Sequence, residues 1–259
     1  MNAEVEYTEV PYLNDILDFL SIDPIDKEDI STYIDNLINL IAVNYKYEQY
    51  QFAYLGIHLL YMTYIYSTIW KISQINPKRY KDAIVFARSY NGREKDLQIV
   101  DADSIFKYSL MPEKDIAKIF KIIDLDKSQI ANVGDLVDTR NDMAHASGKF
   151  EILTEDGFDV KTNSIFTSMK NIHVCMEKQI RMWYFEILLN FCSGHYAEYD
   201  NPEDVITEKM IQNFKISAKE LLICNEINIK ELIDGNYRMR GKLKKFKSKL
   251  AVYCENMNI

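Results

Sequence analysis

The sequence predicts an all-α protein, and three observations support this prediction. Apolar residues recur at intervals of three and four positions along most of the chain, which is the period of one face of an α-helix. Helix-start signals precede several of these segments, and Asn201-Pro202 followed by two acidic residues is the clearest example. No internal repeat or low-complexity linker interrupts the pattern. We therefore expect a helical bundle.

The helices expected before residue 124 share this amphipathic spacing and differ mainly in length. They span residues 12–20, 26–43, 48–75, 78–90 and 112–123. The apolar stripe of the longest one consists of Phe52, Leu55, Leu59, Met62, Tyr66 and Ile69. The segment 101–108 is compatible with either a short helix or an irregular turn.

A second group of helices is expected around and after a polar motif near residue 140. Asp126 and Gln129 form a capping-box pattern that opens the helix carrying this motif. Beyond Gly148, the segment 150–160 alternates in polarity and contains Glu155-Asp156-Gly157, a turn signature that predicts a small β-hairpin or an ordered loop. Further helices are expected over residues 162–192, 203–225, 229–234 and 237–256.

Composition limits the class of protein. The formal net charge of −8 argues against a protein that coats nucleic acid non-specifically, although it leaves room for a local basic surface. The four cysteines are widely spaced and form no C-x-x-C pair, so we expect reduced thiols in a cytoplasmic protein, without zinc. The N-terminus lacks an apolar signal core, and the apolar run 52–70 is interrupted by His58 and several Tyr and Thr. A membrane association is not expected.

The sequence suggests that the chain has three parts. Residues 1–47 are expected to form N-terminal helices packed on the core, and residues 48–193 to form the main helical bundle. Residues 201–259 are expected to form a C-terminal helical appendage with a basic last helix. The boundary is placed in the loop 194–201.

The motif at 137–148 reads VDTRNDMAHASG and concentrates polar groups within about three helical turns. On a helix, Asn141 and His145 are four residues apart and lie on the same face, and Arg140 flanks that face. A cation, an amide and a titratable imidazole presented together suit a phosphodiester better than they suit a protein core.

Arg140-Asn141-x-x-x-His145 resembles the R-x(4–6)-H signature of the HEPN superfamily, in the form where Asn follows Arg. The Ala before His145 and the Gly soon after it also fit that pattern. The resemblance covers at most residues 48–192 and implies an up-and-down helical bundle that pairs as a homodimer, with both motif copies in one cleft. It further implies a metal-independent endoribonuclease without a cofactor, whose catalytic residues are Arg140, Asn141 and His145.

The resemblance also carries biological expectations. Many HEPN proteins cleave RNA in antiviral defence or as toxins, and an antitoxin or another defence-system protein is then a partner. Other members have lost catalysis and only bind RNA or nucleotides. Both outcomes stay open for this chain.

The residues themselves support cleavage chemistry. Imidazole has a pKa near 6.5, so His145 can remove a proton from a 2′-OH or supply one to a 5′-oxygen at neutral pH. The guanidinium of Arg140 can stabilise charge on two phosphoryl oxygens, and Asn141 can bind a phosphate oxygen or fix the tautomer of His145. Since one motif supplies one imidazole, two-proton chemistry favours a site shared across a two-fold axis.

Structural alternatives exist for each motif residue. His145 is also suited to capping the last carbonyls of its helix before Gly148. Arg140 has three acidic neighbours for a surface ion pair, namely Asp135, Asp138 and Asp142. His58 and His173 lie in or beside apolar stripes and are better explained as core or interface histidines, and His195 follows Gly194 in a loop.

A run of positive charge marks the last helix. Its members from the start of the run are Arg238, Arg240, Lys242, Lys244 and Lys245, followed by Lys247 and Lys249. Two interpretations are balanced: a solvated helix face above a buried stripe of Leu243, Phe246 and Leu250, or a surface that tracks RNA phosphates. In the second interpretation the first five residues bind RNA.

Three functions are therefore open. The first is a homodimeric HEPN endoribonuclease that forms a 2′,3′-cyclic phosphate, and the second is a catalytically inactive HEPN module that binds RNA or nucleotide. The third is a helical protein-interaction subunit in which the motif only ends a helix. A nucleotidyltransferase or phosphotransferase is disfavoured because the sequence shows no Gly-rich phosphate loop and no paired metal-binding carboxylates.

Overall fold

The computed structural model describes residues 9–22, 30–84, 99–144, 152–230 and 239–257. Within these ranges the regular secondary structure is helical and no strand occurs, so the all-α prediction is confirmed. Of the described residues, no helix is both long and apolar enough to span a membrane.

The α-helices are numbered here in chain order. They are α1 (Leu13–Leu17), α2 (Ile30–Lys46), α3 (Tyr50–Ile75), α4 (Pro77–Ile84), α5 (Glu113–Ile116), α6 (Lys127–Ala144), α7 (Glu155–Ser193), α8 (Pro202–Val205), α9 (Ala218–Glu226) and α10 (Arg240–Asn256). Two 3₁₀ helices span Ile105–Leu110 and Ala117–Ile123, and a π-helix spans Ile206–Asn213. The undecided segment 101–108 thus contains the start of a 3₁₀ helix, where the Ser104 hydroxyl accepts a hydrogen bond from the Phe106 N–H at 3.2 Å.

The chain divides into two compact units. The first contains the described residues within Met1–Asp18 and Asp26–Cys175, and the second contains those within Phe19–Ile25 and Met176–Ile259. The division therefore falls inside helix α7. The three-part organisation expected from the sequence stays a prediction.

Helix α3 forms the centre of the first unit and is buried along most of its length. Its Tyr61 hydroxyl bonds to the Ser168 hydroxyl of α7 at 2.9 Å, and its Tyr64 hydroxyl donates to the Met169 carbonyl at 3.1 Å. The expected stripe is wrong at two positions, because Phe52 and Leu59 are 45% and 41% exposed. Since α3 is apolar on nearly all sides, its periodicity does not identify the exposed edge.

Helix α6 begins as the sequence predicts. The Gln129 N–H donates to Asp126 Oδ1 at 2.8 Å, and the Asp126 N–H donates to Gln129 Oε1 at 3.2 Å, which is the reciprocal capping box. Its buried residues are Val133, Leu136 and Val137. These residues fix which face of the helix is turned toward the core.

The expected β-hairpin after the motif is wrong over residues 152–160. Helix α7 begins at Glu155 and runs through the supposed turn Glu155-Asp156-Gly157. The Gly157 N–H donates to the Thr154 hydroxyl at 3.2 Å, and the two acids lie in the first turn, where the helix dipole stabilises negative charge. The side chains of Leu153 and Phe158 are buried, so packing also favours the helix. Residues 150 and 151 lie outside the described part.

The expected single helix 203–225 is interrupted in the second unit. The π-helix ends at Asn213, and Lys215 has a φ of 61°, which breaks the helical path. The Ile22 N–H donates to the Ile216 carbonyl at 3.2 Å, so the break is paired with a neighbouring segment. A capping box between Ser217 and Glu220 then starts α9.

The ends of α7 and α10 follow the sequence closely. Gly194 has a φ of 81° and ends α7, as expected of a glycine at this position. On α10 the predicted stripe of Leu243, Phe246 and Leu250 is fully buried. The ring of Phe246 packs against that of Phe191 with centroids 5.4 Å apart.

A close approach between α2 and α3 generates a stability prediction. A Cβ at Gly56 would lie 2.5 Å from Ile41 Cγ1 and 2.8 Å from Leu40 Cδ2. We expect Gly56→Ala to lower the free energy of unfolding by about 1 kcal/mol, because overpacking outweighs the better helix propensity of alanine. Urea denaturation measures this change.

Gly134 on α6 provides the matched control, because no atom lies within 4 Å of a Cβ built there. Gly134→Ala should raise the free energy of unfolding by about 0.5–1 kcal/mol, as expected for a helical glycine with free space. Equal effects of the two substitutions would contradict the close packing of α2 against α3.

Candidate functional site

Helix α6 carries two of the three expected catalytic residues. Arg140 and Asn141 lie near its end, both partly buried, and Arg140 follows the buried Leu136 by four residues and Val137 by three. The guanidinium side chain is 24% exposed, so it lies at the edge of the core with part of its surface open to solvent. His145 lies outside the described residues.

Arg140 forms an ion pair with Glu113 at the start of α5. The guanidinium Nη2 donates to the carboxylate Oε2, and the Glu113 side chain is 22% exposed. This partner lies 27 residues away in the sequence and differs from the three nearby acids considered as alternatives. One of those acids, Asp138, instead pairs with Lys114 at 2.5 Å. Two ion pairs therefore join α5 to α6, one half-exposed and one mostly buried.

His58 of α3 lies on the other side of the Glu113 carboxylate. Its Nε2 is 3.8 Å from Glu113 Oε2, which is close for an ion pair but too long for a hydrogen bond. Its side chain is essentially buried, and neither ring nitrogen has a hydrogen-bond partner. Burial lowers the pKa of His58, and the neighbouring Arg140 charge adds to this although Glu113 opposes it. The imidazole is therefore neutral at pH 7.

The Glu113 carboxylate is ionised because its neighbours outweigh the effect of burial on its pKa. Burial alone would raise its pKa, but the contact with His58 and the positive charge of Arg140 together lower the pKa below its ordinary value. The cluster thus consists of a neutral imidazole, a carboxylate and a guanidinium, with the carboxylate in the middle. We refer to His58, Glu113 and Arg140 as the buried polar cluster.

Glu113 also lines a pocket of about 440 Å³ in the first unit. The remaining lining residues are mainly aromatic or apolar, and four of them carry a hydroxyl group: Tyr33, Leu59, Met62, Thr63, Tyr66, Phe106 and Ser109. A pocket of this size accommodates a small organic ligand, and its carboxylate can accept hydrogen bonds from a bound donor. The buried polar cluster therefore connects Arg140 to an open cavity.

The cluster holds the guanidinium in one orientation. Glu113 engages Nη2, and the Nε atom is buried without a hydrogen-bond partner. An arginine offers five N–H donors, so this ion pair leaves donors available for a second oxygen ligand. The arrangement can bind an oxyanion at the exposed side of Arg140.

His58 and Glu113 were missed as site residues from the sequence. The only signal for His58 was an imidazole inside a helix that is otherwise apolar on all sides, and it was interpreted as a core histidine. Glu113 stands at the start of the helix expected over residues 112–123, and no further signal marks it. No sequence spacing relates positions 58, 113 and 140, because only the packing of α3, α5 and α6 brings them together.

The predicted RNA-binding residues occupy the exposed face of α10. Arg240, Lys242, Lys244 and Lys245 are exposed, whereas Arg238 lies outside the described residues. The last two cations of the run have structural partners. Lys247 donates to the Asn225 carbonyl, and Lys249 pairs with Glu203 at 2.6 Å.

The cysteines and the other histidines do not form a comparable site in the described part of the chain. All four cysteines are free thiols, and three of them are buried. No group of three or more His, Cys, Asp or Glu residues suited to a metal ion occurs among the described residues. His195 is exposed, and its Nδ1 is 2.6 Å from the Ser193 hydroxyl.

A scan against protein-family models and searches of curated proteins and of solved structures found no match. The resemblance of residues 140–145 to the HEPN motif therefore stays a prediction, and so does the homodimer that it implies.

The two ion pairs between α5 and α6 allow a matched test of stability. We expect Glu113→Gln to lower the free energy of unfolding by about 1–3 kcal/mol, because it leaves a partly buried guanidinium without its counter-charge. Asp138→Asn is the control and should cost less than about 0.5 kcal/mol, since both partners of the Lys114 pair are 52% exposed. Urea denaturation at pH 7 measures both, and equal losses would argue against a special role for Glu113.

His58 generates a pH prediction. Its folded-state pKa lies below the ordinary value of 6.5, so the unfolded chain binds more protons below that pH. The free energy of unfolding should therefore fall as the pH decreases from 7 toward 5, with a His58 contribution of up to about 1.4 kcal/mol per pH unit. The stabilisation due to Glu113 is lost only below its unfolded value near 4.5, outside this window.

His58→Gln should flatten this dependence, measured as urea midpoints between pH 5 and 7. His195→Gln removes an exposed imidazole without touching the buried polar cluster and serves as the control. An unchanged slope in His58→Gln would show that other groups cause the acid sensitivity.

Proposed function

We propose that the protein is a metal-independent endoribonuclease of HEPN type, acting as a homodimer in the cytoplasm. The observation that carries this proposal is the anchored Arg140 guanidinium. It lies on the helix that carries Asn141, it is oriented by Glu113, and part of it is open to solvent. The spacing of Arg140, Asn141 and His145 in the sequence supplies the rest.

The anchoring matters because catalysis by charge stabilisation depends on donors that are oriented before the reaction. An arginine on a free surface loses side-chain entropy when it binds a phosphate. Here the ion pair with Glu113 has already fixed the side chain, so binding costs less entropy. The same carboxylate partly neutralises Arg140, which favours release of a cleaved product over tight binding of any anion.

The proposed reaction is an internal transfer within RNA. A neutral imidazole removes the proton from a 2′-OH, and the resulting oxygen attacks the adjacent phosphorus. The bond to the 5′-oxygen breaks, and an imidazolium supplies a proton to that oxygen. The products are a 2′,3′-cyclic phosphate and a 5′-OH, so no water, metal or redox partner enters the balance.

Each motif residue has one task in this scheme. His145 of one subunit acts as the base and His145 of the partner subunit as the acid, which requires the homodimer. Arg140 binds the non-bridging oxygens of the phosphorane-like transition state, and Asn141 either binds a phosphate oxygen or orients the imidazole. The exposed cations Arg240, Lys242, Lys244 and Lys245 draw RNA to the protein, which is otherwise acidic.

The test compares purified wild type with His145→Ala and Arg140→Ala on a labelled single-stranded RNA. We expect wild type to generate 2′,3′-cyclic phosphate ends in the presence of EDTA. Loss of the general acid–base should lower the rate by roughly 10²–10⁴-fold, and loss of the guanidinium by roughly 10²–10³-fold. Cleavage by His145→Ala at the wild-type rate, or loss of cleavage with EDTA, would refute the mechanism.

A cellular assay addresses the biological role. Expression of the wild type should arrest growth of a bacterial host and accelerate RNA decay, and His145→Ala should do neither. Circular dichroism of each variant must match the wild type, so that loss of activity is not loss of fold. Arrest by both proteins would point away from RNA cleavage.

A second candidate is a helical module that binds RNA, nucleotide or another protein without cutting. The observation that favours it is the same ion pair, because Glu113 and Arg140 also join α5 to α6 as a structural link. In that case Arg140→Ala lowers stability while the wild type has no cleavage activity to lose. Equal RNA affinity of wild type and His145→Ala, with no cleavage by either, would favour this module.

A further inference from the structure

A second pocket lies within the C-terminal unit and has a composition unlike the first. Its volume is about 460 Å³, and it is formed by the end of α7, the loop that follows and the start of α10. The side chains that matter here are Phe191, Tyr196, Tyr199, Asp200, Lys242 and Lys245. Aromatic rings and lysine ammonium groups therefore line one cavity.

The tyrosines of this pocket are held in place. The rings of Tyr196 and Tyr199 are 6.1 Å apart and nearly perpendicular, and Lys209 Nζ lies 5.3 and 5.2 Å from their centroids. The Tyr199 hydroxyl donates to Glu208 Oε2 at 2.7 Å, and this bond raises the pKa of Tyr199 to about 12. An aromatic surface that is already ordered can stack a ring at low entropic cost.

The two lysines are only weakly engaged. Lys242 Nζ donates to the Cys192 carbonyl at 3.5 Å, and Lys245 Nζ donates to Asn201 Oδ1 at 3.4 Å. Both contacts are long, and among the described residues neither lysine has an ion pair with a carboxylate. Their charges are available to an anion at the pocket.

Asp200 lines the same pocket and opposes anion binding. The pocket lining therefore carries two ammonium groups and one carboxylate, so its net charge is positive. Aromatic stacking combined with positive charge is the chemistry with which proteins bind single-stranded nucleic acid and nucleotides.

We propose that this pocket binds a nucleoside monophosphate unit. The base stacks on the partly exposed ring of Tyr196 and contacts the nearly perpendicular ring of Tyr199, and the phosphate is bound by Lys242 and Lys245. A free nucleotide and a nucleotide within single-stranded RNA present this same chemistry. The proposal does not rest on the cleavage chemistry of Arg140 and His145, although Lys242 and Lys245 are also among the cations proposed to attract RNA.

The sharpest test compares two adjacent lysines on the same helix. Lys245 lines the pocket and Lys244 does not, although both are exposed and their substitution changes the net charge equally. The probes are 5′-AMP, followed by calorimetry, and a fluorescein-labelled hexa-adenylate, followed by fluorescence anisotropy. All proteins carry His145→Ala so that the RNA is not cleaved.

We expect Lys245→Glu to weaken binding of a probe by about tenfold or more, because a charge-assisted contact is replaced by repulsion. Lys244→Glu should weaken binding of 5′-AMP several-fold less than Lys245→Glu does, because Lys244 does not line the pocket and acts on the phosphate only through a screened charge. Binding of both probes indicates recognition of the nucleotide unit. If only 5′-AMP binds, the ligand of the pocket is a free nucleotide. If only hexa-adenylate binds, the ligand is single-stranded RNA.

Two further variants test the two halves of the pocket. Tyr196→Leu removes a stacking surface and should weaken binding of 5′-AMP. The affinity for inorganic phosphate, measured by its competition with 5′-AMP, should stay the same. Asp200→Asn removes the opposing charge and should strengthen binding by about two- to fivefold. A gain of affinity cannot be explained by misfolding.

Two outcomes overturn the proposal. Equal weakening by Lys244→Glu and Lys245→Glu would show a diffuse basic surface instead of a pocket. Failure of both probes to bind at millimolar concentration would show that the cavity has no nucleotide affinity. Neither outcome affects the proposed cleavage reaction, because cleavage is measured with the wild-type protein, which retains His145.

Discussion

The burial of α3 is the constraint on which the first unit depends. This helix is apolar on nearly all sides, so the free energy of folding is gained only if other helices cover it almost completely. Helix α2 approaches closely at Gly56, and α7 bonds to the tyrosine hydroxyls of α3. The polar groups on its buried faces must therefore be accommodated inside the protein.

This accommodation is incomplete for His58, as it is for the buried hydroxyls of Tyr54 and Ser67 on the same helix. The two ring nitrogens of His58 are buried without hydrogen bonds, which is costly and uncommon in native proteins. The nearest charge is Glu113, and the carboxylate is ionised because Arg140 compensates it. The position of the motif arginine is thus linked, through one carboxylate, to the burial of His58, which lies 82 residues earlier. This link restrains a guanidinium that still has 24% of its side-chain surface open to solvent.

In the second unit a run of cations lies on one helix, α10. This helix anchors a stripe of Leu243, Phe246 and Leu250 in the core, and the cations on its other faces divide into two kinds. Lys247 and Lys249 bind a backbone carbonyl and a carboxylate, and so contribute to the fold. Lys242 and Lys245 have long contacts with neutral oxygens and line a cavity with aromatic walls, where Lys242 Nζ lies 5.9 Å from the centroid of the Phe191 ring. A run of similar residues in the sequence therefore contains residues with separate physical roles.

Most of the secondary structure was determined by local sequence. The capping box at Asp126 and the glycine at 194 act through hydrogen bonds and backbone angles within a few residues, so their effect is visible without the fold. The hairpin predicted at 150–160 was wrong over its described part, 152–160. Glu-Asp-Gly suits a turn and a helix start equally, and the burial of Leu153 and Phe158 decided between them. The break at Lys215 was likewise missed, because the hydrogen bond from Ile22 to the next residue, Ile216, is not local.

The candidate site also depends partly on local sequence and partly on tertiary packing. The sequence by itself identified Arg140 and Asn141 on one helix and the stripe beneath the basic run, since these depend on helical spacing alone. Only the tertiary structure decided that Arg140 pairs with Glu113 next to His58, and that two lysines of the run line a pocket. The physical reason is that electrostatic interactions depend on distance in space and on burial. Neither quantity can be obtained from the order of residues until the helices have packed.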